Sequence, residues 1–480
     1  MTESSLDKLL QPRSIAVVGA TERSRPDFVI ALRELGFRGE IFVVNPGYDE
    51  VHGLKSYENV KDIPGPVDYA ISAIPAAAVP GLIDDCAQKG VKIAHLYSAR
   101  FGETGRPQDA ELETEVLRRA VKGGVRVIGP NCMGLYYPKM GIGWTDDFPT
   151  ESGSIGMASQ SSYAVHDLIL LGASRGMRFS KVIGYGNALD FNECDFLEYL
   201  ASDPETAVIL MYVEGVKDGK RFLSVMRKAA LTKPVIVVKG GKGEAGARAA
   251  ASHTASLAGS ADTWKAAVAQ AGAIPVESLD EMIDYSVSFS YLKPIAGSRV
   301  GIAGSGGGPS VLGADQCEVA GLKVVALPDE IREQLKARNM PMWDWVGNPV
   351  DMSISGGAFS AGELLHLMAE NANFDLLIAI MGEPHYRKRQ RGATGESFLQ
   401  RFGLSEIRGK PLLAVVPDKS LDLSQYDEPT TRLMADVRTR LLAARIPFYP
   451  TMTRAARSAK TVIDYYQRKK NPGQPTPLEL

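Results

Sequence analysis

Three times along the chain a short apolar run breaks into a small-residue turn and then a helical pattern, and this repeat constrains the fold more than any other feature. Ser14 to Val18 breaks at Gly19-Ala20-Thr21 before a helix expected over 28–35. Ser154 to Ala158 breaks at Ser159-Gln160-Ser161-Ser162 before a helix at 163–171, and Arg299 to Ala303 breaks at Gly304-Ser305-Gly306-Gly307-Gly308-Pro309 before a helix at 310–320. Further apolar runs at 41–44, 69–74, 92–97, 125–128, 179–183, 207–213, 234–238, 323–327, 376–381 and 411–416 alternate with helical stretches. Such alternation means parallel sheets with helices on both faces, an α/β chain. Its 480 residues are too many for one core and suggest three domains of roughly 150 residues. We place them at 1–138, 150–293 and 298–470, with linkers at 138–152 and 294–298 and a polar tail at 471–480.

Composition excludes several classes. The 54 basic and 56 acidic side chains give a net charge of -2, without the basic footprint of a nucleic-acid binder. Cys86, Cys132, Cys194 and Cys317 lie far apart with no Cys-x-x-Cys spacing, which argues against a disulfide framework or a zinc site, and no metal site is expected. No apolar run reaches the ~18 residues of a membrane helix, and the N-terminus lacks the plan of a signal peptide. The expectation is a cytoplasmic protein whose partners are small molecules or protein, with no membrane and no nucleic acid.

Candidate chemistry gathers where strands end. The stretch Lys239 to Ser260 is glycine- and alanine-rich, and places His253 between Ser252 and Thr254 on an expected surface loop before a helix from Ala261. With an ordinary pKa near ~6.5, such an imidazole is largely neutral at pH 7 and can attack phosphorus or an acyl carbon. The plainer alternative is a loop histidine without chemistry. Glu214 follows the apolar run 207–213, so its carboxylate falls at the carboxyl edge of a parallel sheet, where ligands bind. It can orient an imidazole, or act only as a cap or ion-pair partner.

Ser159, Gln160, Ser161 and Ser162 form a polar helix start whose N–H groups attract phosphate, and the Gly306, Gly307, Gly308 turn offers a second, although it is not a Walker loop. The Gly19, Ala20, Thr21 turn lets a phosphate approach helical N–H groups. Without Gly-x-Gly-x-x-Gly it leaves a nicotinamide dehydrogenase only as a minor alternative. The turn Gly129-Pro130-Asn131-Cys132-Met133-Gly134 either closes the first domain's cleft or serves as an elbow between domains.

Together these segments resemble the α part of the nucleoside-diphosphate-forming acyl-CoA synthetases, relatives of succinyl-CoA synthetase. The resemblance rests on Ser-Ile-Ala-Val-Val-Gly-Ala at 14–20, Val43-Val44-Asn45-Pro46, Gly129-Pro130-Asn131-Cys132, Ser159-Gln160-Ser161, Gly186-Asn187, Glu214-Gly215, Ser252-His253-Thr254 and Gly306-Gly307-Gly308, in that order. It implies a Rossmann-like CoA-binding domain followed by two flavodoxin-like domains. The implied reaction is carboxylate, CoA and NTP to acyl-CoA, NDP and phosphate, through an acyl phosphate and a phosphohistidine.

His253 matches the family's phosphoryl carrier, Glu214 the glutamate that steadies it, and Ser159 to Ser162 the phosphate cradle. The resemblance likewise implies coenzyme A binding by Gly19, Ala20, Thr21, Arg23, Asn45, Pro46, Ile74, Pro75, Ser98 and Asn131. ATP/ADP or GTP/GDP with Mg2+ would be held mainly by an ATP-grasp module on a β-subunit, the substrate being a small carboxylate or acyl-CoA and the assembly a homo- or hetero-oligomer. The chain departs from the family at Gly47, where a lysine is usual, and at Arg100, Ser162 and Ala255, where the family usually has glycine. A non-catalytic CoA-binding or acyl-CoA-binding regulator is the alternative.

Overall fold

The computed structural model describes residues 5–246, 248, 261–340, 342–352, 360–381, 399, 403, 404, 407, 409–417 and 429–470. The chain divides into two compact units, one reaching to Ile283 and the other running from Asp284 to Gln474. His253 and Ala255 lie outside the described residues.

The first unit contains two sheets. In the first, the strands run Glu50–Val51, Leu54–Tyr57, Glu40–Val44, Ser14–Val18, Tyr69–Ser72, Ile93–Leu96, Arg126–Ile128, with every pair parallel except the edge hairpin. Ser14–Val18 is buried throughout, as its continuous apolar run requires of a strand covered on both faces. The chain leaves it first toward Glu40–Val44 and then returns to its other side at Tyr69–Ser72, so the strand order reverses there and opens a crevice at the carboxyl edge. The helix Phe28–Glu34 starts beside this edge, with the Asp27 carboxylate accepting from Ile30 N at 3.1 Å.

The second sheet orders Ile274–Val276, Val235–Lys239, Val208–Val213, Ile155–Ser159, Phe179–Gly184, Gly134–Tyr136, parallel apart from the last strand. The strand Gly134–Tyr136 arrives before the stretch read as a linker, so the chain crosses between sheets at the 129–134 turn. The stretch 138–152 is not a free linker. Trp144 and Phe148 are buried, their rings 6.3 and 4.9 Å from that of Tyr136. Its glycine, proline and acidic composition hid two aromatic anchors. At this sheet edge the buried Lys181 ammonium lies 3.0 Å from Asp203 and 2.6 Å from Glu205, and Glu205 accepts from the Tyr137 hydroxyl at 2.8 Å.

Turn and second sheet meet backbone to backbone. Asn187 N donates to Pro130 O at 3.1 Å and Leu189 N to Gly129 O at 3.0 Å. Gly186 has φ +50, and a Cβ there would stand 2.5 Å from Asn131 O, so only glycine fits. Arg126 forks onto Asp190 at 2.8 and 2.9 Å.

The second unit holds one parallel sheet, ordered Lys323–Val324, Arg299–Ser305, Leu376–Ile380, Leu412–Val415, Phe448–Tyr449, with Val350–Asp351 also on Arg299–Ser305. The helix Gly307–Val319 begins inside the glycine triplet rather than after it. Among the described residues no helix is long and apolar enough to cross a membrane.

His95 ties the 129–134 turn to the first sheet. Its buried ring donates from Nε2 to Cys132 O at 3.0 Å, and the Gly134 backbone lies against it, where a Cβ would stand 2.6 Å from Nδ1. Burial pushes the imidazole pKa down to about 4, against the opposing hydrogen bond to Cys132. The unfolded chain therefore takes up the proton first, near ~6.5, and stability falls as pH drops from there toward 4. Urea midpoints measured between pH 7 and 4.5 should decline more steeply for the wild type than for His95→Asn. Equal slopes would remove His95 as the cause.

Candidate active site

At the carboxyl edge of the first sheet, most of the residues expected to hold coenzyme A form one connected series. Gly19 has φ +88 and packs under Ile74, whose Cγ2 would stand 2.8 Å from a Cβ placed there. Asn45 Nδ2 donates to Ala20 O at 2.9 Å, the Ser98 hydroxyl donates to Ile74 O, and Asn131 N donates to Ser98 O at 3.0 Å. Thr21 Oγ1 accepts from Arg23 N at 3.2 Å, and the Arg23 side chain is exposed. Pro46 and Pro75 stand exposed on the rim. A crevice with a side-chain-free floor at Gly19 and an amide-bearing wall fits a phosphorylated, elongated ligand.

A cavity of about 1170 Å³ continues from this edge, between Ser98 and Asn131 on one side and Ser161, Ser162 and Tyr163 on the other. Its wall includes the Asp27–His52 pair, 2.8 Å apart, together with Trp144 and Asp146. Cys132 also lines it, but burial pushes that thiol up to about 12, so it is a neutral wall and no nucleophile.

The second sheet contributes the ends of three neighbouring parallel strands. Ile155–Ser159 runs into the helix Ser162–Ser174, whose N-cap Ser161 accepts from Ala164 N at 3.3 Å. Ser159 Oγ accepts from Ser161 N at 3.1 Å and donates to Ser161 O at 2.9 Å, fixing the turn. Ser162 Oγ accepts from Met133 N at 3.2 Å, so the hydroxyl at this position stitches the helix start to the 129–134 turn. Gln160 reaches sideways, its Oε1 accepting from Glu214 N at 2.5 Å and Gly215 N at 3.0 Å.

Glu214 is buried, 7 % exposed, at the end of Val208–Val213. Burial, then the charge and a hydrogen bond of Glu214, push the neighbouring Tyr212 hydroxyl up to about 12. Beside it ends Val235–Lys239, where Lys239 Nζ donates to Glu214 O at 2.7 Å and Gly240 O at 2.5 Å. The stretch bearing His253 departs from Gly240, where a Cβ would stand 2.6 Å from Tyr212 Oη and 3.1 Å from Glu214 Cγ. Residues 244–246, read as loop from their glycine and lysine content, are helical.

Gly306, Gly307 and Gly308 belong to the second unit. The Asp351 carboxylate sits at that helix start, 2.7 Å from where a Gly307 Cβ would be, so an anion would meet a negative charge there. Arg100 is exposed with φ +78, a conformation that suits the glycine usual in the resembling family. Among the described residues no group of three or more His, Cys, Asp or Glu could hold a metal ion.

Residues 13–138 match the family described as CoA binding domain, and 152–289 the succinyl-CoA ligase like flavodoxin domain. The α-subunit of ADP-forming acetate–CoA ligase II of Pyrococcus furiosus is 37% identical over 413 residues, 85% of this chain and 89% of that one. The chain belongs to the family of ADP-forming acyl-CoA ligases. Another ligase of this family, ADP-forming acetate–CoA ligase I of Archaeoglobus fulgidus, is 36% identical over 78% of this chain, which spans 55% of its length. Among solved ligase structures, that of Candidatus Korarchaeum cryptofilum dinucleotide-forming acetyl-coenzyme A synthetase 1 in complex with phosphate and ADP superposes with a TM-score of 0.81. It is 30% identical, covering 97% of both chains.

Sequence reasoning missed Lys239 as a site residue, the Asp27–His52 pair and the Trp144–Asp146 wall. Only the first had a usable signal, a lysine closing an otherwise apolar buried strand. Gln160→Leu should leave two buried N–H groups without their acceptor and lower unfolding stability by about 2–4 kcal/mol, read by urea denaturation. A loss below about 0.5 kcal/mol would mean that water or another group replaces the amide.

Proposed function

We propose that the chain is the α-subunit of an NDP-forming acyl-CoA synthetase, converting a small carboxylate, CoA and NTP to acyl-CoA, NDP and phosphate. The observation that supports this most is the convergence of the Ser161-capped helix start, Gln160, Glu214 and the Lys239–Gly240 strand end on one sheet edge, from which the His253 stretch departs.

In the direction of acyl-CoA breakdown, phosphate displaces the thiol from the acyl carbon and gives an acyl phosphate. The imidazole of His253 then attacks its phosphorus. An N–P bond forms, the P–O bond to the acyl group breaks, and the carboxylate leaves. Glu214 takes the hydrogen bond from the other ring nitrogen and so fixes the tautomer, and the first-turn N–H groups of Ser162 and Tyr163, at the helix start that Ser161 caps, stabilise the phosphoryl oxygens. The nucleoside diphosphate finally accepts the phosphoryl group.

Gly19, Ala20, Thr21, Arg23, Asn45, Pro46, Ile74, Pro75, Ser98 and Asn131 hold coenzyme A in this reading, with the 1170 Å³ cavity leading from them to Ser161 and Ser162. ATP/ADP or GTP/GDP with Mg2+ falls to an ATP-grasp β-subunit, in a heteromer working in the cytoplasm. Regions 1–138, 150–293 and 298–470 act as its three domains. A binding module without turnover would require neither a held carboxylate nor a histidine on the adjoining stretch.

The test offers the purified chain a panel of acyl-CoA esters, beginning with acetyl-CoA, and radiolabelled phosphate. Wild type should take up an acid-labile, base-stable label and His253→Ala should not; equal labelling of the two ends the mechanism. Glu214→Gln should slow labelling by roughly 100-fold or more, since the amide no longer favours the required tautomer. An unchanged rate would reduce Glu214 to a structural cap.

A further inference from the structure

Lys239 is a buried cation that the mechanism above leaves without a task. Its residue is 8 % exposed, and among the described residues its ammonium donates to two carbonyl oxygens, those of Glu214 and Gly240 at 2.7 and 2.5 Å. The Trp264 ring lies 5.9 Å away. Among the described residues it has no ion pair and only two of its three N–H groups have acceptors. Burial pulls its pKa down and the Glu214 charge partly restores it, with the Lys242 charge acting against. Lys242 itself is engaged by Glu277 at 2.5 Å. An unpaired ammonium buried at a strand end is costly, and hydrogen-bonding two carbonyls is a task that a neutral amide could perform.

The charge has a use once Glu214 and a phosphoryl group occupy the same edge. A phosphoryl group carries close to two negative charges and Glu214 a third, while a helix N-terminus offers only about half a positive charge. Without a nearby cation those anions repel, which weakens the hold of the site on the phosphoryl group.

We propose that Lys239 is the countercharge of this site: a positioning residue that holds the Glu214 backbone from its carbonyl side, opposite Gln160 on its N–H side, and balances the phosphoryl group bound beside it. The proposal rests on the ligase reading for the identity of the anion; the cation and its contacts stand without it.

The test compares the full-length wild type with Lys239→Gln, Lys239→Met and Lys239→Arg. Glutamine keeps a donor for the carbonyls but not the charge, and arginine keeps the charge. Inorganic phosphate should raise the thermal midpoint of wild type. The phosphate concentration giving half that rise should increase about 10-fold or more in the Gln and Met proteins and return to within about 3-fold of wild type in Arg. In the labelling assay the half-saturating phosphate should rise likewise, with that for acyl-CoA unchanged.

A glutamine protein with wild-type phosphate dependence overturns the proposal, as does a wild type that phosphate does not stabilise, or a rise in both half-saturation values together. Should Met unfold, Gln and Arg still decide. Failure of wild type to label His253 while phosphate stabilisation persists would sink the ligase reading and leave the anion site standing.

Discussion

The close approach of Gly186 to the 129–134 turn is the contact on which the rest of the first unit depends. Two parallel sheets could each bind a ligand at a carboxyl edge, but group transfer requires those edges to face the same space. Here the Pro130 and Gly129 carbonyls accept from Asn187 and Leu189, so the turn that ends one sheet is hydrogen-bonded to the strand end of the other. A side chain at Gly186 would push them apart. Because the joint is backbone to backbone it is short and has little play, as acyl transfer between two bound groups demands. The cavity lined by Ser98, Asn131, Ser161 and Ser162 follows from it.

Around Glu214 the structure supports a carboxylate from its backbone outward. The Gln160 amide oxygen takes the N–H groups of Glu214 and Gly215, and Lys239 takes the carbonyl. Tyr212 lies at the side chain. The main chain is held on both sides, and burial together with the Tyr212 hydroxyl restricts the side chain. Glycine at 240 lets the next strand end come close enough to complete the arrangement.

The places where this ligase departs from the resembling family acquire physical content. Serine at 162 adds a hydroxyl that ties the start of its helix to the 129–134 turn, which a glycine would not do. Arginine at 100 accepts a left-handed backbone that glycine would take without strain, and its N–H is held by Glu103 at 2.5 Å. Neither departure removes a group from the proposed transfer.

The alternation of strands and helices, and with it the parallel sheets and their carboxyl edges, is legible in the order of residues alone. A fully buried strand must be an apolar run, and a chain turning sharply from strand to helix must use small or capping residues; both are local demands. The helix Pro107–Gly123 obeys the same kind of local demand, since proline opens it and a left-handed Gly124 ends it. The anchoring of 138–152 by Trp144 and Phe148 is not legible in its composition, which does not say which aromatic rings find partners. That Gln160 serves Glu214, that Lys239 stands behind it, and that Asp351 places a carboxylate at the glycine-triplet helix start emerges from the folded arrangement. Those residues lie tens of positions apart, and it is sheet register and strand order, set by packing over the whole unit, that bring them within a hydrogen bond.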